Sequence, residues 1–266
     1  MFSTTELYPF YTRVIDALTG VRDGVACPTG GIYNLACGYR DLGVHVSRQS
    51  FFFEPMALRN LEDAPDQVAL PFSTYPNLVY APHDYTHVFT IDAEAGLSPS
   101  ESPYPLSYDQ AYIVANAEAR AFGSALIVGE YGDFSSDQAT YDEVVAGMTA
   151  AQDSYQVGSS YWAWTGQAVS PLLTRVYPRA TAGTLLAFGY EPANRSFVMT
   201  AAASRPVRVG ERPAETDVVI PAGATGGVTV SGAAVLDRVV TYPDGTRSAL
   251  VAPTGRGDYS VGVAAS

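Results

Sequence analysis

Lysine is missing altogether: all fifteen basic residues are arginine, against twenty-seven aspartates and glutamates, for a net charge of −12. An arginine-only basic set reflects GC-rich coding and carries no mechanism. The acidic balance argues against nucleic acid and anionic membrane surfaces as partners, since both need clustered basic residues. No stretch approaches the roughly 18 consecutive apolar residues of a membrane-spanning helix. The opening MFSTTELYPF has neither a basic region nor an apolar core, so it does not read as a signal peptide. Cysteine is scarce. Cys27 and Cys37 stand ten apart in a Gly/Pro-rich stretch, able to close a loop in an exported protein or to remain thiols in a cytosolic one. Together with His45 and His87 they make no metal-ligand spacing, and a structural role is preferred for all four; no metal and no cofactor is expected.

What is present suits a packed core. Apolar residues make up 47% and charged residues 16% of 266 positions, enough for one large domain or a domain with an appended module. Eighteen tyrosines and eleven phenylalanines fit a carbohydrate-facing cleft and ordinary packing equally well.

The chain is organised around Leu126-Ile127-Val128-Gly129-Glu130-Tyr131-Gly132-Asp133-Phe134. An unbroken apolar run between helix-like flanks reads as a strand buried on both faces. In a parallel α/β barrel such a strand delivers its C-terminal residue to the active face. Gly129 and Gly132 allow close backbone approach, which would put Glu130 on a constrained ledge. From this stretch alone, Glu130 is either that delivered carboxylate or a charged strand end facing water.

Upstream, PFYTRVIDALTGVRD (residues 8–22) sets Val14, Ile15, Leu18 and Val21 at helical spacing, followed by a long glycine-rich loop from Gly24 to Gln49. Phe51-Phe52-Phe53 is a short strand ending at Glu54, and Leu78–Ala81 another, breaking into His83-Asp84-Tyr85. Residues 107–122 and 137–151 read as helices, and 158–164 as a fourth strand with an aromatic end at Trp162 and Trp164. Strands alternating with helices mark β/α units on a parallel sheet, and every candidate site residue falls at a strand's C-terminal end.

The pattern changes after about Ala187. Short alternating segments (197–201, 217–220, 227–230, 238–241, 248–251, 259–263) are punctuated by Pro-Ala-Gly and Pro-Asp-Gly turns, as in a small antiparallel β-sandwich. The expected division is residues 1–185 for the barrel part and 186–266 for the sandwich.

Taken in order, Phe53-Glu54-Pro55, Tyr80-Ala81-Pro82-His83-Asp84-Tyr85, Gly129-Glu130-Tyr131-Gly132 and Tyr161-Trp162-Ala163-Trp164 resemble glycoside hydrolase family 5, within it the endoglycoceramidase-like group. Residues 175–183 resemble that group's passage from barrel to sandwich. The resemblance implies an α/β fold of the (β/α)8 TIM-barrel type and a retaining O-glycosyl hydrolase. It implies Glu130 on the seventh strand as nucleophile, Tyr85 hydrogen-bonded to it, His83 beside substrate hydroxyls, and Trp162 as a sugar platform.

One departure matters. The family's acid/base glutamate lies in an Asn-Glu-Pro motif ending the fourth strand, and this chain contains none. Only one strand separates Glu54 from the strand of Glu130, so Glu54 belongs to strand five, as a cleft-lining hydrogen-bond partner of substrate. The expectation is the C-terminal half of a barrel plus its sandwich, with the N-terminal half supplied from elsewhere, in a secreted or extracellular enzyme acting on β-linked glycans or glycolipids. The alternative is a non-catalytic carbohydrate-binding remnant that keeps Trp162 and the sandwich.

Overall fold

The computed structural model describes residues 2–19, 46, 48–59, 65–66, 75, 77–97, 107–163, 171–210 and 214–266. The long loop with both cysteines, His45 and Trp164 lie outside the described residues. Two compact units emerge: residues 1–134 with 157–162, and residues 135–156 with 163–266.

The first unit is built on four parallel strands, β1 (Phe51–Phe53), β2 (Leu78–Tyr80), β3 (Ala125–Tyr131) and β4 (Gly158–Tyr161), lying side by side in chain order. Chain order across a parallel sheet is what consecutive units of a β/α barrel produce. The strands alternate as a period of two requires. Phe53 and Tyr80 are buried, whereas Phe52 between the inward phenylalanines is 61% exposed.

The buried face packs on two helices, α1 (Tyr8–Thr19) and, after the short α2 (Ile91–Glu94), α3 (Tyr108–Phe122). Tyr8 and Ile15 from α1, Phe53, Leu78 and Tyr80 from the sheet, and Ala119 and Phe122 from α3 form one core. Phe122 meets Phe53 edge-on at 4.9 Å and Tyr8 at 5.4 Å, the geometry the ring quadrupoles favour. Helix α3 starts where the Ser107 hydroxyl accepts from the Gln110 N–H at 3.2 Å and stops at Gly123, in the left-handed region at φ 65°.

A buried charge cluster pins this layer. The Glu118 carboxylate of α3 takes Arg59 Nη2 at 3.0 Å, the Tyr80 hydroxyl at 2.9 Å and the Asp66 N–H at 2.5 Å. Asp66 in turn accepts from the hydroxyls of Ser3 and Tyr8. These bonds tie the segment after β1 to β2 and to both helices, just below the strand ends.

The second unit opens with α4 (Gln138–Tyr155), capped by Asp137 accepting from the Thr140 N–H at 2.9 Å. It continues in two four-stranded antiparallel sheets. One orders β10 (Ala234–Thr241), β11 (Arg247–Pro253), β8 (Thr216–Ile220) and β5 (Tyr177–Ala180); the other orders β6 (Thr184–Glu191), β7 (Ser196–Ala203), β12 (Gly257–Val263) and β9 (Val228–Gly232). Phe197, Met199, Tyr259 and Val261 of one sheet and Val218, Ile220, Ala249 and Val251 of the other share one core. Both expected turns are present, with Gly223 at φ 89° and Gly245 at φ 85°.

All six expected β segments are strands here. The expected boundary at 185/186 falls inside β6, and antiparallel pairing already begins at Tyr177 opposite Val219. Residues 175–183, expected as a connecting passage, thus contain a sheet strand. Its Tyr-Pro-Arg-Ala sequence shows why it is hard to see: a proline is tolerated on an edge strand but masks the alternation.

Candidate active site

The strand ends collect the predicted residues: Glu54 follows β1, His83 and Tyr85 follow β2, Glu130 is the penultimate residue of β3, and Trp162 follows β4. Pairing between β2 and β3 continues past the regular strands. The Gly129 N–H donates to Pro82 O and the Asp84 N–H to Glu130 O, both at 2.9 Å, and Asp84 bridges Tyr131. The ledge read into the glycine–glutamate run is therefore real backbone geometry. A Cβ on Gly129 would lie 2.9 Å from Ala81 O, so the missing side chain is what lets the two backbones approach, with the His83 ring in van der Waals range at 3.4 Å. A Cβ on Gly132 would lie 2.5 Å from Trp162 O, and the Trp162 N–H donates to Tyr131 O at 2.8 Å.

Four of the five side chains form a chain of contacts. The Tyr85 hydroxyl donates to Glu130 Oε2 at 3.1 Å. His83 Nδ1 stands 3.4 Å from the same oxygen, and its Nε2 stands 3.5 Å from Glu54 Oε1. Burial, reinforced by the neighbouring Glu130 charge and bond, pushes the Tyr85 phenol far up from its ordinary value. Tyr85 therefore stays a donor at every physiological pH. The fifth residue, Trp162, joins through its backbone, and its indole is 52% exposed.

Three neighbours escaped the sequence reading. Asp84 is 3% exposed, and its Oδ1 accepts from the Thr86 N–H at 3.3 Å. Burial pushes its carboxyl up, while the Tyr112 hydroxyl and Thr86 pull the other way. Strand alternation was the available signal, since His83 and Tyr85 facing the cleft send Asp84 inward. Phe89 and Phe134 stack on each other at 5.4 Å and both contact the Tyr85 ring, yet stand 43% and 54% exposed. No periodicity announces that pair, because both lie on irregular chain. His87, by contrast, belongs to a buried knot: its Nδ1 lies 2.8 Å from Asp92, and its N–H donates to the Thr90 hydroxyl. Among the described residues no group of three His, Cys, Asp or Glu could hold a metal ion, and no helix is long and apolar enough to cross a membrane.

Parallel strands in chain order, with a tyrosine-bonded carboxylate at their C-terminal ends, define part of a β/α barrel that presents a carboxylate site. Comparison with known proteins gives this class a family. Residues 57–168 match the cellulase model of glycosyl hydrolase family 5, and residues 175–260 match the glycoside hydrolase family 5 C-terminal domain. The chain thus carries part of the family 5 barrel followed by that family's C-terminal domain. Among solved structures, it is similar to an endogalactoceramidase at 20% identity and a TM-score of 0.58, covering 80% of this chain and 47% of that one. It is similar too to endo-glycoceramidase II from Rhodococcus sp., solved as a lactosyl-enzyme intermediate, at 20% identity and a TM-score of 0.57, covering 81% and 49%. The chain spans about half the length of these structures. No curated protein matches it.

Proposed function

We propose that the chain belongs to a retaining glycoside hydrolase that cleaves O-glycosidic bonds of β-linked glycans or glycolipids, with Glu130 as nucleophile. The observation that carries this reading is the Tyr85 hydroxyl donating to Glu130 Oε2 at 3.1 Å, at the C-terminal end of a parallel strand. A carboxylate nucleophile has to be aimed. Tyr85 and His83 both address Oε2, which leaves Oε1 for the anomeric carbon. Attack forms a glycosyl ester and expels the aglycone oxygen, and water then hydrolyses the ester.

Both steps need a second carboxyl group, about 5–5.5 Å from the first, to protonate the leaving oxygen and then to deprotonate water. On this reading that group comes from barrel strands other than the four described, in an N-terminal half, and the lack of an Asn-Glu-Pro motif in this sequence supports it. Glu54 and His83 line the cleft, and the half-exposed Trp162 offers an apolar ring to a sugar face. An extracellular working place fits a polymeric or lipid-anchored substrate.

The test is mechanism-based labelling. The leaving group of an activated 2-fluorosugar departs without protonation as the carboxylate bonds to the anomeric carbon, so the first step needs only the nucleophile in a competent barrel. With the chain assembled on a family 5 N-terminal barrel half, the label is expected on the peptide containing Gly129-Glu130-Tyr131. It should vanish in Glu130→Gln and persist in Glu54→Gln. A label on Phe53-Glu54-Pro55 would overturn both the role of Glu130 and the strand count behind it.

A further inference from the structure

Among the described residues His83 is the one imidazole at the site, and acceptors flank both its nitrogens. Nδ1 faces Glu130 Oε2 at 3.4 Å, and Nε2, enclosed and without a hydrogen bond among the described residues, faces Glu54 Oε1 at 3.5 Å. The ring is otherwise boxed in. Gly129 lies beneath Cδ2, and the Tyr85 ring stands edge-on at 6.1 Å. Glu54 is itself held by its backbone, whose N–H donates to the Tyr11 hydroxyl of α1 at 3.2 Å.

A neutral imidazole carries one donor and one lone pair, whereas an ionised carboxylate only accepts. A ring between two carboxylates is therefore aligned by both, and removing either one frees its plane to turn. Both separations are longer than finished hydrogen bonds, as bonds at unliganded active sites often are before substrate expels water. Among the described residues, the charged groups facing the ring are Glu54 after β1 and Glu130 on β3, with the Tyr85 phenol alongside after β2.

We propose that Glu54 is a positioning residue, which acts through His83 and not on substrate. It fixes the plane of the imidazole so that Nδ1 stays directed at the nucleophile. The consequence for catalysis rests on the reading of Glu130 given above. When Glu130 becomes an ester it loses its charge, and Glu54 remains as the carboxylate that keeps His83 oriented until hydrolysis restores the other. Glu54 is more than half exposed, so its contribution is chiefly directional.

The chain holds three histidines, which makes a 15N ring-nitrogen spectrum of the full chain tractable, with His83→Gln supplying the assignment. Glu54→Gln is expected to move both His83 nitrogen resonances and to leave those of His87 in place. His83 resonances unchanged in Glu54→Gln would overturn the proposal. In the assembled barrel, Glu54→Gln should lower kcat about tenfold with KM unchanged, as loss of one charge-assisted bond predicts. A raised KM with unchanged kcat would make Glu54 a substrate ligand instead. The nitrogen spectrum does not depend on turnover. Failure of the glycosidase reading shows as no label on any variant, whatever the ring's protonation.

Discussion

The buried Glu118 cluster offers the sharpest test of what holds the strand ends in place. Arg59 and Glu118 have side chains 2% exposed, and the guanidinium reaches Oε2 through Nη2 at 3.0 Å and Nε at 3.3 Å. Replacing Arg59 with Met leaves a dry carboxylate whose remaining donors are the Tyr80 hydroxyl and the Asp66 N–H. Removing one partner of a buried pair typically costs about 3–5 kcal/mol, because the other charge stays buried without its counterion. Glu118→Leu should cost at least as much, since it takes the buried guanidinium's carboxylate partner away and strips two further donors of their acceptor. The double variant Arg59→Met/Glu118→Leu removes both members of the ion pair together. Its residual cost is the two orphaned donors, about 1–3 kcal/mol each. The double should therefore be far milder than the sum of the singles, with a coupling of several kcal/mol.

Hydrogen exchange read on peptides spanning residues 78–85 and 108–122 would report this locally, because Tyr80 on β2 lies three residues before His83. The single variants should lose protection across both peptides and the double should recover most of it. Strictly additive losses would refute the reasoning. So would an Arg59→Met cost under about 1 kcal/mol, which would mean that the pair is as solvated as a surface salt bridge.

Two further variants probe the site's surroundings. Burial raises the Asp84 carboxyl in the folded state, so the protonated form favours folding. That contribution is fully present below the unfolded value of about 4 and is lost as pH rises through the folded value. Asp84→Asn, which keeps the acceptor for the Thr86 N–H, should accordingly flatten the stability profile over that window and be more stable than the parent at neutral pH; denaturant midpoints from pH 3 to 8 that run parallel would contradict it. Trp162→Ala should weaken oligosaccharide binding by about 1 kcal/mol, near fivefold, with little change in melting temperature. Calorimetry showing unchanged affinity and a large loss of stability would return the indole to the core.

How much of this was legible in the sequence follows from what each residue's position depends on. Strands β1 to β3 were readable because each joins an apolar run to a polar stop, β4 by its aromatic end, and α3 because Ser107 and Gly123 bracket a helical period. The sandwich strands announced themselves by alternation and by glycine turns. Strand β5 did not, for Pro178 interrupts its pattern and its partner β8 is nearly forty residues away. Recognition by such a distant strand leaves no local trace.

The site divides along the same line. Glu130, Tyr85 and His83 could be named because strand ends expose residues whose types suit the chemistry. Asp84, Phe89 and Phe134 could not, since burial and ring stacking arise only when β2, β3 and α3 are brought together. Glu54 shows the limit most clearly. Strand order set the acid/base role aside and left a cleft-lining partner of substrate as the preferred reading. The 3.5 Å to His83 Nε2 and the 3.4 Å on the ring's far side suggest a different partner, the imidazole. Those two distances depend on the ends of three strands. A role set by what lies between two residues cannot be read from either of them alone.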